Sequence, residues 1–164
     1  MRQRYLIALG SNKRHARHGA PERVLEAALV ALAEESVAVE AVAPTLQSPP
    51  LGPSRRRYAN SAAVIETGLD PEELLALLKQ IEHQFGRRSG GQRWSSRVLD
   101  LDIVLWNGGA WSSPGLTIPH QSFRIRDFVL TPARQVAPDW RDPITGLSAN
   151  HLHARLTRPR RLPS

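Results

Sequence analysis

The order of elements along the chain predicts an α+β fold with a ferredoxin-like βαββαβ core. Two stretches have apolar residues at helical spacing, shorter stretches read as strands, and the order is strand, helix, strand, strand, helix, strand. That order implies a mostly antiparallel sheet with two helices on one face. Two later helical segments, FVLTPARQVAP and NHLHARL, would cover the second face and complete a three-layer α/β/α sandwich.

The first half of the core begins with a short buried strand from Tyr5 to Leu9, which ends at a Gly-Ser-Asn turn. Pro21 then opens the helix ERVLEAALVALAEE, because a proline in the first helical turn loses no hydrogen bond. The segment from Val37 to Leu46 alternates and is rich in β-branched residues, which predicts one strand. The prolines and glycine of SPPLGPSRRR then predict a loop.

The second half resumes with a strand from Tyr58 to Glu66. The residues DPEE at 70–73 are typical of a helix start, with an acidic N-cap, a proline at the first position and carboxylates facing the helix dipole. Gly86 is a good terminator for that helix. The loop RRSGGQRWSS leads into the strand VLDLDIVLW, and a Gly/Ser/Pro-rich connection follows.

Length and composition exclude several classes of protein. The 164 residues predict one domain spanning 1–164, with a basic tail from about 155 that we expect to be poorly ordered. The absence of cysteine excludes disulfides, thiolate nucleophiles and Cys-ligated zinc. No apolar stretch approaches the ~20 residues that span a bilayer, and no secretory signal is visible, so we expect a cytoplasmic protein. The net charge of +7 suggests polyanionic partners.

The most informative residues are Asp100 and Asp102, which a strand would place on one face. The apolar residues around them would point to the core: Leu99, Leu101, Ile103 and Leu105. Aspartate is depleted from strands, so a divalent cation is one explanation for the pair, and Mg²⁺ takes one or two carboxylates together with water and phosphate oxygens. Solvated acids, or partners for Arg93 and Arg97, are the other explanation.

Basic residues near this strand suit a polyphosphate. The loop FGRRSGGQRWSSR carries arginines around a Ser-Gly-Gly that we expect to be mobile, and Trp94 within it could shield a closed site. The chain has no P-loop and no GxGxxG, so any ATP that it binds would have to be held by arginine and metal. His120 is followed within six residues by Arg124 and Arg126, which is consistent with a phosphate contact. The alternative is that His120 has a structural role.

Five runs of residues carry a resemblance to a known family: ALGSN (8–12), SPPLGP (48–53), YANSA (58–62), RWSSRVLDLDIVLW (93–106) and PHQSFRIRDFVL (119–130). As a set they resemble the 6-hydroxymethyl-7,8-dihydropterin pyrophosphokinase family of folate biosynthesis. The resemblance implies a ferredoxin-like α/β/α sandwich, in agreement with the element order. It also implies an enzyme that moves the β,γ-pyrophosphate of ATP onto the pterin hydroxymethyl group and releases AMP.

The resemblance implies roles on the ATP side of the site. Asp100 and Asp102 would hold two Mg²⁺ ions that bridge the ATP phosphates and the pterin hydroxyl. Arg87 and Arg97 would stabilise charge on the phosphates during transfer, and Trp94 would seal the site. The resemblance implies further ATP contacts from Glu82, Ile103, His120 and Arg126.

On the pterin side, the resemblance implies that Tyr58 and Phe128 sandwich the ring, an arrangement that suits flat heteroaromatics. Asn60 would give its polar edge a donor and an acceptor, helped by backbone groups around Ser48 and Leu51. ATP and the pterin would be the partners of a monomer that binds neither nucleic acid nor a membrane.

The chain also departs from the family pattern. Ser95 and Ser96 stand where Gly-Pro is usual, Gln121 stands where proline or tyrosine is common, and Ser89 and Gly115 stand where some members carry arginine. The segment KRHARHGAP is several residues longer than in compact members. Two alternatives stay open. A ferredoxin-like sheet with a net charge of +7 is also typical of an RNA-binding module, which needs aromatic residues exposed on the sheet. The missing arginines leave open a homologue that binds pterin without catalysis.

Overall fold

The computed structural model describes residues 2–13, 15–48, 58–86 and 98–159. The strands in these ranges are β1 (Gln3–Ser11), β2 (Ala38–Val42), β3 (Leu46–Ser48), β4 (Tyr58–Thr67), β5 (Asp100–Trp106), β6 (Trp111–Ser113) and β7 (Leu116–Ile118). The helices are α1 (Pro21–Glu34), α2 (Pro71–Gln84), α3 (Asp127–Val136) and α4 (Ala149–Thr157), with a 3₁₀ turn at Phe123–Ile125.

The main sheet has the strand order β2-β4-β1-β5, with β3 also paired to β4. Every pairing in it is antiparallel. This arrangement confirms the predicted α+β fold, because the two central strands are the first and third of the βαββαβ order. β6 and β7 form a separate two-stranded sheet.

Two apolar cores flank the sheet and make the three layers. One face packs against α1 and α2, with buried side chains that include Tyr5, Ile7, Leu25 and Leu78. The other face packs against α3 and α4, with buried side chains that include Leu6, Val64, Leu130 and Leu152. Adjacent residues of β1 therefore enter opposite cores, as the period of two in a strand requires. The predicted sandwich is confirmed.

The start of α2 confirms the helix signal in DPEE. The Asp70 side chain accepts the Glu73 N–H at 2.8 Å, and Glu73 Oε1 accepts the Asp70 N–H at 3.3 Å, which forms a capping box. Just before it, Leu69 accepts the Tyr5 hydroxyl at 2.7 Å. Burial, with smaller effects from Asp70 and Glu73, raises the pKa of Tyr5. These contacts join the start of α2 to the central strand β1.

Two strand predictions were wrong in detail. The single strand predicted from Val37 to Leu46 is two strands, β2 and β3, with Pro44 between them. Proline lacks the N–H that a ladder needs, so the pairing with β4 is interrupted there. The connection after β5 is a hairpin, β6–β7, whose turn contains Pro114 and Gly115, the latter at a φ of 82°. Pro-Gly is a turn signal that favours this conformation.

A β-bulge in β5 overturns one predicted orientation. The register with β1 passes from Ile7–Ile103 to Leu6–Leu105, which leaves Val104 as an extra residue. Val104 and Leu105 both pack in the core beneath α3, so Leu105 does not share a face with Ile103 as the strand pattern predicted. The alternation of a strand changes phase wherever a residue is inserted.

Candidate active site

The centre of the site is a row of residues that crosses three strands. Gly10 of β1 pairs with Asp100 of β5 on one side and with Asn60 of β4 on the other. Paired residues share a face, so Asp100 and Asn60 both project from the sheet face that packs against α3. Their backbones lie two strand spacings apart, about 10 Å. The predicted metal ligand and the predicted pterin ligand therefore flank a single glycine.

Gly10 leaves room for the Asn60 side chain to lie across β1. A Cβ atom built at this position would lie 3.1 Å from Asn60 Oδ1, which is closer than ordinary packing contacts. A glycine inside a strand often marks a position where another group approaches the backbone closely. The sequence pattern predicted Gly10 in a turn after a strand that ends at Leu9, which was wrong: β1 continues to Ser11, and Gly10 pairs on both sides within it.

The second carboxylate follows on the same face. Asp102 pairs with Ala8 and is exposed, whereas Asp100 is half-buried. On the neighbouring strand β1, the two carboxylates face Ala8, which has a small side chain, and Gly10, which has none. The prediction that both aspartates leave one face of the strand is confirmed by this register.

Two exposed aromatic side chains belong to the same side of the sheet. Tyr58 begins β4 two residues before Asn60 and is 36% exposed. Phe128 lies in the first turn of α3 and is 38% exposed. Arg126 immediately precedes that helix, and its Cζ lies 5.6 Å from the centroid of the Phe128 ring. A flat apolar ring and a cation thus stand together on α3, which covers the face of the sheet that carries Gly10, Asn60 and Asp100.

His120 is tied to the bulge of β5. Its N–H donates to the Val104 carbonyl at 3.1 Å, a group that the bulge releases from the ladder with β1. The His120 Nδ1 atom accepts the Ser122 N–H at 3.2 Å. In the neutral ring the proton therefore resides on Nε2, which makes Nε2 a donor suited to a phosphate oxygen.

Arg124 forms an ion pair within the protein, although its position close to His120 in the sequence suggested a phosphate contact. It donates two hydrogen bonds to Asp142, one of them at 2.8 Å, and Asp142 is fully buried. Asp142 also accepts the Ile144 N–H at 2.9 Å and the Thr145 hydroxyl at 2.7 Å. Burial alone would raise the pKa of Asp142, but these hydrogen bonds hold it at about 2. Arg124 thus anchors the loop before α4, and Arg126 does not share that pairing.

Two of the predicted ATP contacts lie toward the opposite side of β5. Glu82 of α2 is 4% exposed, and its Oε2 accepts the Leu101 N–H at 2.8 Å. The Ile103 side chain is buried in the core with α1 and α2. β5 is the last strand in the order of the main sheet, so its outer edge is open to Glu82. A nucleotide contact from Ile103 would have to come from its backbone.

The remaining predicted residues are only partly described. Ser48 ends β3 and pairs with Tyr58, next to the exposed ring. Four others lie outside the described residues and stay predictions: Leu51, Arg87, Trp94 and Arg97.

Three features of the described residues bear on the predictions from the sequence. Helices cover both faces of the main sheet, so the open aromatic sheet surface that an RNA-binding module needs is not present in the described ranges. Among the same residues, every helix is too short or too polar to cross a membrane. The described part of the chain also holds no cluster of three or more His, Cys, Asp or Glu side chains suited to a metal.

Comparison with known proteins gives one consistent family. The model of the 7,8-dihydro-6-hydroxymethylpterin-pyrophosphokinase family matches residues 6–138. A 2-amino-4-hydroxy-6-hydroxymethyldihydropteridine pyrophosphokinase of Pseudomonas aeruginosa is 39% identical over 145 residues, covering 87% of this chain and 86% of the relative. The protein of the same name from Synechocystis is 35% identical over 141 residues, covering 86% of this chain and 70% of the relative.

Solved structures agree at the level of the fold. Wild-type HPPK-DHPS of Plasmodium falciparum with pteroate superposes with a TM-score of 0.70 at 12% identity, covering 94% of this chain and 42% of that longer chain. This chain therefore spans less than half of those two-part proteins. With a family model over most of its length and relatives above one third identity, the chain belongs to the 7,8-dihydro-6-hydroxymethylpterin-pyrophosphokinase family.

Proposed function

We propose that this protein transfers the pyrophosphoryl group of ATP to 6-hydroxymethyl-7,8-dihydropterin, which gives AMP and the pterin diphosphate in folate biosynthesis. The observation that carries the proposal is the row in which Gly10 separates Asp100 from Asn60. The Asn60 amide oxygen reaches over Gly10, so a ligand bound to it would lie on the face that also carries Asp100, one strand further on. That is the spacing a small acceptor needs if its reacting end is to meet a metal-bound polyphosphate.

The pterin would lie between Tyr58 and Phe128, whose rings are exposed on the side of the sheet that carries Asn60. An amide side chain both donates and accepts, so Asn60 suits the mixed donor and acceptor edge of a pterin. Backbone groups around Ser48 and Leu51 would complete the recognition of that edge. Stacking and hydrogen bonding together would hold the hydroxymethyl group toward Asp100.

The ATP phosphates would be held by cations and donors, because the chain has neither a P-loop nor a GxGxxG motif. His120 offers Nε2, and Arg126 stands beside the ring of Phe128. Arg87 and Arg97 would stabilise the transferring phosphates, and Trp94 would exclude water. Glu82 and the backbone of Ile103 would serve the nucleoside along the outer edge of β5.

The donor set at Asp100 and Asp102 fits Mg²⁺. Hard cations take oxygen ligands, and Mg²⁺ is commonly bound by one or two carboxylates, with water and substrate phosphates completing its shell. The two carboxylates share one face of β5, opposite the small residues Ala8 and Gly10, and would be the protein ligands of two such ions. When bound, Mg²⁺ would supply neutralisation of phosphate charge.

The chemistry is a displacement at phosphorus. The hydroxymethyl oxygen forms a bond to the β-phosphorus of ATP, the bond from that phosphorus to the oxygen bridging to the α-phosphorus breaks, and AMP leaves with the electron pair. The hydroxyl proton is released to water. Positioning and charge stabilisation account for most catalysis of this kind, so the residues of this chain align two substrates.

We also propose that the protein acts as a monomer in the cytoplasm.

The test is AMP release from ATP and 6-hydroxymethyl-7,8-dihydropterin, with and without Mg²⁺. We expect AMP only when both the pterin and Mg²⁺ are present. Asp100→Asn and Asp102→Asn should each lower kcat by about a hundredfold or more, a loss typical when a group that stabilises developing charge is removed. Asp139→Asn, an exposed aspartate in the turn after α3, is the matched control and should behave as wild type.

Each other outcome has a definite meaning. A folded protein that binds the pterin and releases no AMP would overturn transfer and support the non-catalytic homologue. Full activity in both aspartate variants would overturn the metal assignment while leaving the reaction intact. RNA binding that falls steeply with salt, without pterin binding, would restore the RNA alternative.

A further inference from the structure

Asn12 carries a buried polar atom with no explanation in the fold. Its Oδ1 atom is inaccessible to solvent and has no hydrogen-bond partner among the residues that the structure describes. Buried side-chain oxygens in native proteins nearly always have a partner, so an exception calls for a specific cause. The neighbouring Ser11 hydroxyl differs, because it donates to the Lys13 carbonyl at 3.4 Å.

The position of Asn12 connects it to the site. β1 ends at Ser11, so Asn12 lies one residue beyond the strand and two residues beyond Gly10. Ser11 is buried opposite Ala59, which belongs to the core with α1 and α2. Alternation along an extended chain then gives Asn12 the same side as Gly10, which is the side of Asn60 and Asp100.

The missing partner must be a hydrogen-bond donor. The ATP phosphates that would lie beside Asp100 carry acceptor oxygens alone, so they cannot satisfy Oδ1. The pterin ring differs, because its edge presents several N–H groups. The single side-chain oxygen of Asn60 cannot accept from all of them. The adenine amino group of ATP is also a donor, but the proposed nucleoside position lies along the outer edge of β5, on the far side of that strand from β1. The pterin ring is therefore the donor that we assign to Asn12.

We propose that Asn12 is a further pterin-binding residue, whose Oδ1 accepts a hydrogen bond from a ring N–H of the bound pterin. This inference rests on the proposed function. A buried acceptor has no bound water to lose when the ligand binds. Its new hydrogen bond therefore contributes more to the free energy of binding than a hydrogen bond to a solvent-exposed acceptor would. It also favours ligands that present a donor at that edge.

The test measures pterin affinity and stability together. Fluorescence titration with 6-hydroxymethyl-7,8-dihydropterin, in the presence of Mg²⁺ and a non-hydrolysable ATP analogue, gives Kd without turnover. We expect Asn12→Leu to raise the pterin Kd about tenfold, the loss of one hydrogen bond, while the Kd of the ATP analogue stays within about twofold. The urea midpoint of the empty protein should stay the same or rise, since the substitution removes an unsatisfied buried group.

A purely structural role predicts the reverse pattern. If Asn12→Leu lowers the urea midpoint and changes both Kd values together, or leaves the pterin Kd unchanged, the inference is wrong. Asn150→Leu, at an exposed position on α4, is the control and should change neither Kd. If the wild-type protein does not bind the pterin at all, the proposed function itself has failed.

A second measurement covers the case in which Asn12→Leu does not fold. In the wild-type protein, the side-chain amide resonances of Asn12 should shift on addition of the pterin and not on addition of the ATP analogue alone. Resonances that respond to the nucleotide alone, or to neither ligand, would overturn the inference.

Discussion

Gly10 shows how one position without a side chain can organise a site. It touches neither proposed substrate through a side chain, yet Asp100 and Asn60 are its partners on the two neighbouring strands. A side chain at this position would lie between the Asp100 carboxylate and the Asn60 amide. The requirement is one of space, because a Cβ atom here would meet Asn60 Oδ1 at 3.1 Å.

This requirement leads to a prediction for Gly10→Ala. The methyl group should displace the Asn60 amide by a few tenths of an ångström and so weaken pterin recognition. We expect KM for the pterin to rise about tenfold, with KM for ATP unchanged and a smaller effect on kcat, which steady-state kinetics would measure. Gly68→Ala is the control, because a Cβ atom at Gly68 meets nothing within 4 Å. Equal changes in both KM values would contradict this account.

Arg124 and Arg126 show the limit of inference from spacing. They are two residues apart, and the sequence treats them alike as companions of His120. The structure separates them, because Arg124 pairs with Asp142 and Arg126 lies beside Phe128. The partner of Arg124 is 18 residues away, so no local pattern could identify it.

Elements are held in place by contacts at their ends. The β-bulge in β5 frees the Val104 carbonyl, and that carbonyl binds the N–H of His120. The strand that carries Asp100 and Asp102 is thereby joined to the segment that carries His120. In a regular strand this carbonyl would accept a hydrogen bond from β1. The bulge therefore joins the strand that carries the predicted metal ligands to the segment that carries His120.

The loop between α3 and α4 depends on Asp142, and its stability should depend on pH. The folded pKa of about 2 lies below the ordinary value of 3.8, so the stabilisation is complete above pH 5 and is lost as pH falls toward 2. We expect the free energy of unfolding of the wild type to fall by about 2 kcal/mol more than that of Asp142→Asn over this range. Urea unfolding at a series of pH values measures it.

Two variants test whether the ion pair of Arg124 and Asp142 sets this pH dependence. Asp139→Asn removes an exposed aspartate nearby and should keep the pH dependence of the wild type. Asp142→Asn should be less stable at pH 7, because it leaves Arg124 without its buried partner. Identical pH profiles for the wild type and Asp142→Asn would show that this ion pair does not set acid stability.

The capping box of α2 gives a second prediction about an element. Asp70→Ala removes the acceptor for the Glu73 N–H and should lower the free energy of unfolding by about 1 kcal/mol. Glu72→Ala removes an exposed carboxylate from the same turn without touching the cap, and should cost less than about 0.5 kcal/mol. Urea denaturation compares them. Equal losses in the two variants would assign the effect to helix charge instead of capping.

Across the described ranges, two apolar cores share the main sheet. Each strand of β1, β4 and β5 places side chains in both cores, so neither helical layer can separate without exposing the other side of the same strands. This coupling supports the prediction that residues 1–164 form one domain. A second folding unit would need a core of its own.

We therefore expect a single cooperative unfolding transition. The fluorescence of the four tryptophans, which include Trp106 on β5 and Trp111 on β6, should change together with the far-UV circular dichroism, which reports on the helices. Two separated transitions, or different midpoints for the two probes, would contradict the single-domain prediction.

The sequence by itself determined the order of the elements, the start of α2 and the common face of Asp100 and Asp102. Each of these follows from periodicity or capping within a short stretch, which local sterics and hydrogen bonding control. The resemblance of five short runs was enough to indicate the family, which the comparisons show.

Only the tertiary structure decided the register that places Gly10 between Asp100 and Asn60, the bulge at Val104 and the pairing of Arg124 with Asp142. It also decided that Asn12 keeps a buried oxygen without a partner in the described residues. These features join residues far apart in the chain. Side-chain pattern specifies which face a residue takes, whereas strand pairing and packing of the complete chain select which residues meet across that face.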